Sequence, residues 1–209
     1  MGGEFRTEQE AFWAGSFGDD YAARNQGEDL LASKTALFAR ILGRTAGVET
    51  AIEFGSNIGL NLAALKRLLP RIELAAIEIN ADAARQVAKL GVSVYQGSIL
   101  EVEVHDRYDL VLISGVLIHI APAELHRVYD RLYEACGRYL CVAEYYNPTP
   151  TEVPYRGHQE RLFKRDFAGE ILERFPDLRL LDYGFWYHRD PVFPLDDITW
   201  FLLERAAAG

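Results

Sequence analysis

Cysteine is scarce in this chain, with Cys136 and Cys141 the only two. They bracket Gly137-Arg138-Tyr139-Leu140 at the entry to an apolar run, with no His or Cys at metal-ligand spacing. No metal site is expected, and both thiols read as small buried hydrophobes. Basic residues are also in deficit: 22 Lys and Arg stand against 31 Asp and Glu, for a formal net charge of -9. A broad contact with nucleic acid or an anionic membrane rewards a basic face, so neither is expected, and a small-molecule partner is favoured. Long apolar runs are missing too. None approaches the roughly 20 residues of a membrane-spanning helix. Met1-Gly2-Gly3-Glu4-Phe5-Arg6 lacks the hydrophobic segment of a signal peptide, and the expected location is cytoplasmic.

What is present is an ordinary globular balance, 49% hydrophobic and 25% charged over 209 residues, which suits one well-packed domain. From Thr50 onward, short β-rich runs alternate with helical patterns. The runs are Thr50 to Phe54, Glu73 to Ile79, Val92 to Gln96, Leu110 to Ser114 and Tyr139 to Glu144. Helical stretches lie between them at Leu60 to Leu69, Ala81 to Leu90 and Ala123 to Ala135, punctuated by Pro70, Gly91 and Pro122. A helix from about Arg165 to Arg174 then precedes two runs, Leu178 to Tyr187 and Ile198 to Glu204, joined without a helix and therefore antiparallel. The prediction is a doubly wound, Rossmann-like α/β fold: a mostly parallel seven-stranded sheet with an antiparallel C-terminal strand. Before Thr50 the chain reads as helices, Thr7 to Ala14, Asp20 to Ala23 and Glu28 to Leu42, broken at the turn Gly15 to Asp19. Residues 1–209 are thus expected to form a single domain, with 1–49 a helical cap and 50–209 the α/β core.

The segment Thr50 to Gly59 is an apolar strand entering a turn, Glu53-Phe54-Gly55-Ser56-Asn57-Ile58-Gly59, and then a helix. Ligands of doubly wound folds bind at this carboxyl end of the first strand. Gly55 allows close approach of a ligand to the backbone, and Gly59 allows the helix to pack on the sheet. A dinucleotide loop would carry three glycines as G-x-G-x-x-G, whereas Ser56-Asn57 replaces the middle one, and no Gly-Lys-Ser/Thr of a triphosphate loop occurs. A nicotinamide-dependent oxidoreductase is disfavoured on that ground. Glu78 ends the next strand, where a carboxylate accepts ribose hydroxyls in either class of enzyme.

With Glu53 ahead of it, the loop resembles the glycine motif of class I S-adenosylmethionine-dependent methyltransferases. The resemblance implies that Glu53 faces the methionine amino end of S-adenosyl-L-methionine, where a carboxylate suits an ammonium and would repel a pyrophosphate. It implies Glu78 and Ile79 at the ribose, and Gly97, Ser98 and Ile99 at the adenine, with Ser98 standing where such enzymes often carry an acid. It also implies Ser114, Gly115 and Val116 beside the reactive methyl. Trp13, Tyr21 and Asn25 in the capping segment would close over the cofactor, or simply pack.

Within that class the chain resembles the methylases associated with pseudaminic acid biosynthesis, closely and over nearly its whole length. The likeness lies in Thr7 to Gly15, Gly115 to Ile120, Ala143 to Pro150, Pro154 to His158, Arg161 to Phe167 and Asp182 to Pro191. It implies a nonulosonic acid sugar, free or nucleotide-activated, as acceptor. A basic and aromatic island of Tyr145, Tyr146, Tyr155, Arg156, His158, Arg161, Lys164 and Arg165, with His188 and Arg189 further on, fits a small anionic acceptor. It fits equally a solvated face paired with Glu152, Glu160 and Asp166. His119, with Tyr145 and Tyr146, is the candidate catalytic group, and the alternative is a structural histidine in the apolar run Val116 to Ile120. A non-catalytic cofactor-binding protein is the competing functional reading.

Overall fold

The computed structural model describes residues 5–24, 27–154 and 162–206. Three helices lead the chain: α1 (Glu8–Ala14), α2 (Ser16–Arg24) and α3 (Glu28–Leu42). Thr7 opens α1 through a capping box, its side chain accepting from the Glu10 backbone N–H while Glu10 accepts from the Thr7 backbone N–H. The break before α2 narrows to Gly15 alone, whose carbonyl already accepts from the Gly18 and Asp19 N–H groups of the resumed helix, while Gly18 sits where a Cβ would collide with the Trp13 carbonyl.

The core then alternates β1 (Thr50–Phe54), α4 (Leu60–Leu68), β2 (Glu73–Glu78), α5 (Ala81–Ala88), β3 (Ser93–Gln96), β4 (Tyr108–Ser114), α6 (Leu125–Ala135) and β5 (Cys136–Glu144). Two short 3₁₀ turns, Leu117–His119 and Pro122–Glu124, lie between β4 and α6. A two-residue hairpin of β6 (Thr151–Glu152) and β7 (Phe163–Lys164) follows, which the sequence pattern does not announce. Helix α7 (Phe167–Arg174) and strands β8 (Leu178–Trp186) and β9 (Ile198–Arg205) complete the described chain.

The sheet runs β3-β2-β1-β4-β5-β9-β8. Strands β1 to β5 pair in parallel, and β9 is antiparallel to both β5 and β8. The expected doubly wound sheet with one reversed strand is therefore the observed one. Strand parity sorts the core into two layers. Ile52, Phe54, Val111, Ile113, Leu140 and Val142 face α6 and α7, meeting Val128, Leu132, Phe167 and Ile171. Ala51, Leu110, Leu112, Tyr139 and Cys141 face the opposite side, where Leu37, Phe38 and Ile41 of α3 pack with Leu62 and Leu65 of α4. Helix α3 thus belongs to the sheet layer, and α1 and α2 stand at its carboxyl edge. Both cysteines are buried and free, on opposite faces, with burial pushing each thiol up to about 12. No helix among the described residues is long and apolar enough to cross a membrane.

Trp200 is fully buried in the second layer, and a Cβ placed on Gly184 of the neighbouring β8 would fall 2.8 Å from its indole ring. Gly184→Ala should therefore overpack the β8–β9 pair and cost about 1–3 kcal/mol in urea denaturation.

Candidate active site

The carboxyl ends of the parallel strands and the first helices enclose a cavity of about 410 Å³. Its floor is the loop after β1. Gly55 and Ser56 donate backbone N–H groups to the Ile77 carbonyl at 2.9 and 3.2 Å, which ties the turn to β2. Gly55 has φ +77, and a Cβ there would meet Val116 Cγ2 at 2.6 Å. Gly55 thus leaves room for the Val116 side chain while itself lining the cavity. Asn57 carries the second left-handed conformation, φ 49, and asparagine tolerates that geometry better than other residues with a side chain. The missing middle glycine is thereby accounted for. Gly59, φ +81, abuts Val87 of α5 and Leu90 just beyond it, so the neighbour it accommodates is that helix side and not the sheet.

Glu78 is buried at the end of β2, accepting from Asn57 N at 2.6 Å and Asn80 N at 2.7 Å. Burial nevertheless raises its carboxyl above the usual range. Glu53 is buried more deeply. One of its oxygens accepts from Asn61 Nδ2 at 2.5 Å, and the other has no hydrogen-bond partner among the described residues. Burial pushes this carboxyl up to about 8. Glu144, at the end of β5, follows the same pattern: one oxygen accepts from the backbone N–H groups of Val116 and Leu117, both at 2.9 Å, and the other is buried without a partner among the described residues. Burial pushes it up to about 7 against those backbone donors.

An aromatic wall closes the opposite side. The Trp13 ring lies 4.7 Å from buried His119 and edge-on to Tyr21 at 5.2 Å. Helices α1 and α2 are held to the strand ends by two side-chain contacts. Ser98 donates its hydroxyl to buried Glu10, and Asn80 donates to Asp19 at 2.8 Å while its own oxygen caps α5.

Of the residues singled out in the sequence, the cavity brings together Trp13, Tyr21, Glu53, Gly55, Ser56, Asn57, Glu78, Ile79, Ser98, Ile99, Ser114, Gly115, Val116, His119 and Tyr145. Gly59 and Gly97 lie behind it; a Cβ on Gly97 would meet Val102. Asn25, Tyr155, Arg156, His158 and Arg161 fall outside the described residues. The remaining island residues do not converge on the cavity. Tyr146 is 41% exposed and packs on Phe201, with ring centroids 5.9 Å apart. Lys164 sits 5.2 Å from the Tyr145 ring, and Arg165 is committed to Glu170 at 2.6 Å. His188 pairs with Asp197 at 2.8 Å, and Arg189 is exposed. Of the carboxylates expected to pair with these cations, Asp166 caps α7 through Gly169 N.

Residues not singled out in the sequence complete the lining, among them Glu10, Lys34, Asn61, Asn80, Glu144 and Asp196. Glu10 has a local signal in the Thr7-x-x-Glu10 capping box, and Glu144 has one in its place at the end of β5. Lys34 and Asn61 arrive by the packing of α3 against α4.

The sheet order, the reversed β9 and a cavity at the strand ends are those of the methyltransferase fold. Solved structures bear this out at the level of fold. The mitomycin 7-O-methyltransferase superposes over 96% of this chain with a TM-score of 0.67 at 17% identity, and the chain spans 61% of that protein's length. The magnesium protoporphyrin IX methyltransferase of Synechocystis PCC 6803, solved with S-adenosylhomocysteine, matches over 94% of this chain and 98% of its own, with a TM-score of 0.68 at 14% identity. The 1,6-didemethyltoxoflavin-N1-methyltransferase of Burkholderia thailandensis matches over 99% and 93%, with a TM-score of 0.69 at 13% identity. No family model and no curated protein matches the chain.

Glu53 gives this site a measurable pH signature. Its folded carboxyl titrates at about 8 against an ordinary 4.5, so the neutral form is favoured and stability falls as pH rises from about 4.5 through 8. Glu53→Gln keeps the Asn61 contact and removes this penalty. Each tenfold change in proton affinity between the folded and unfolded chain is worth about 1.4 kcal/mol. The ligand-free variant should therefore exceed wild type in urea denaturation by on the order of a few kcal/mol at pH 8, with the gain vanishing near pH 4.5.

Proposed function

We propose that the protein is an S-adenosyl-L-methionine-dependent methyltransferase acting on a small-molecule acceptor. The observation that carries this reading is the pair of buried carboxylates on adjacent strand ends, one of them with a bare oxygen. A buried anion without a partner is costly, and an ammonium group placed against Glu53 would relieve that cost. Glu78 has filled one acceptor position on each oxygen with a backbone N–H, leaving lone pairs for the hydroxyls of a ribose. Ser98 and Ile99 bound the adenine end, beside Glu10. When bound, the cofactor supplies a methyl group activated by a sulfonium sulfur, so the protein's work is alignment of the acceptor and exclusion of water. Ser114, Gly115 and Val116 line the region where the methyl would lie, and Trp13, Tyr21 and His119 form the wall that excludes water. His119 and Glu144 are the cavity groups suited to taking a proton, and the carboxyl of Glu144 is poised at about 7.

For the acceptor we propose a nonulosonic acid sugar, free or nucleotide-activated. The support is the sequence likeness to the pseudaminic acid-associated methylases. The described lining itself is rich in carboxylates, with Lys34 as its Lys or Arg side chain. An anionic acceptor within the described lining would therefore have to bring its charge to Lys34.

Calorimetry should show S-adenosylhomocysteine binding to the wild-type protein, with Glu78→Ala weakening it by about tenfold or more through loss of the ribose contacts. Absence of binding to wild type would overturn the cofactor reading. Incubation with S-adenosylmethionine and a panel of nonulosonic acids should yield one acceptor heavier by a methylene in mass spectrometry. Methylation confined to unrelated acceptors would overturn the substrate reading alone.

A further inference from the structure

Lys34 is a half-buried lysine on the face of α3 that meets α4, and it lines the cavity. Its ammonium donates to Asn61 Oδ1 at 2.7 Å, while Asn61 Nδ2 donates to Glu53 Oε1 at 2.5 Å. The amide is thereby fixed in one orientation. Flipping it would set its NH₂ group against the lysine ammonium and its carbonyl against the carboxylate. A lysine and a carboxyl group thus stand at the two ends of a single asparagine, both on the cavity lining.

A lysine serving only to neutralise Glu53 would pair with it directly. Here Asn61 is interposed, and the outer oxygen of Glu53 remains bare among the described residues. One of the three ammonium N–H donors of Lys34 is used among the described residues, leaving two for a ligand. Burial lowers the lysine's affinity for its proton, and Glu53 and Asp196 oppose that effect by favouring the cation. An ammonium receptor and a carboxylate receptor at this separation are complementary to an α-amino acid group.

We propose that Lys34 holds the carboxylate of the cofactor's amino-acid end, with Asn61 aligning it against the ammonium receptor Glu53. The proposal rests on the S-adenosylmethionine reading above, and it extends the cofactor site from the strand ends to helix α3. Lys34 would then report the presence of the carboxylate, whereas Glu53 reports the amine.

The test compares three ligands by calorimetry: S-adenosylmethionine, its decarboxylated form, and 5′-methylthioadenosine, which lacks the whole amino-acid end. Wild type should prefer S-adenosylmethionine over the decarboxylated form by about tenfold or more. Lys34→Met should bind S-adenosylmethionine at least about tenfold more weakly, with the other two ligands within about twofold of wild type, so the preference collapses. Lys34→Arg should retain most of it. The ratio of two dissociation constants does not depend on the folded fraction, so partial misfolding of Lys34→Met leaves the test intact, and Lys34→Gln provides a second neutral variant. Equal weakening of all three ligands would assign Lys34 to packing and overturn the proposal, as would an unchanged preference in the neutral variants. Failure of wild type to bind any of the three would instead overturn the cofactor reading.

Discussion

The structure depends on carboxylates that stitch neighbouring strand ends together through backbone N–H groups. At the carboxyl rim, Glu78 of β2 receives the N–H of Asn57 from the loop after β1, and Glu144 of β5 receives those of Val116 and Leu117 from the loop after β4. At the opposite rim, Asp109 of β4 receives the N–H groups of Glu49 and Thr50 at the start of β1, both at 2.9 Å. Loops that leave a parallel sheet have lost their ladder partners, and a buried N–H without an acceptor is expensive. A carboxylate one strand away satisfies two at once and fixes the loop's shape. The cavity floor is therefore built by the same groups that would bind a ligand.

That arrangement carries an electrostatic cost concentrated at the site. Two backbone donors do not offset the burial of Glu144, which stays near 7, and a single asparagine leaves Glu53 near 8. Both keep an oxygen without a partner among the described residues. The opposite rim shows the contrast: Asp109 accepts three contacts from Glu49 and Thr50 in a less buried setting. Among the described residues, the buried side-chain oxygens without a partner thus lie at the rim where a ligand could meet them, and the Trp200 indole N–H in the core is the remaining unpartnered group.

The parts legible in the sequence are those whose role is set by position along a strand. Apolar β-rich runs between helical patterns define the sheet, and a carboxylate within the last two positions of such a run, as at Glu53 and Glu78, falls at the cavity. Lys34 and Asn61 have no such marker. A lysine on an amphipathic helix usually faces water, and only the docking of α3 on α4 turns this one inward. Glu144 has the same strand-end marker at the close of β5, but the tyrosines that follow it draw the eye to an aromatic run instead. The basic island shows the converse failure. Composition groups Arg165 and His188 with their neighbours, while Glu170 on α7 and Asp197 before β9 take them up locally.

The two sides of the cavity differ in how strongly the fold constrains them. The Glu53–Asn61–Lys34 side is tied to β1, α3 and α4, all packed into one buried layer, and its geometry can change only if that layer does. The facing side is assembled from Trp13, Tyr21, His119 and Tyr145, which come from the capping helices, a 3₁₀ turn and the segment after β5. Helices α1 and α2 are held to the strand ends by polar contacts that include Ser98 to Glu10 and Asn80 to Asp19, whereas Leu117 and Ile118 of the 3₁₀ turn are buried in the first core layer. The mitomycin 7-O-methyltransferase, the magnesium protoporphyrin IX methyltransferase and the 1,6-didemethyltoxoflavin-N1-methyltransferase share this fold, and a fold alone does not fix what a site acts on.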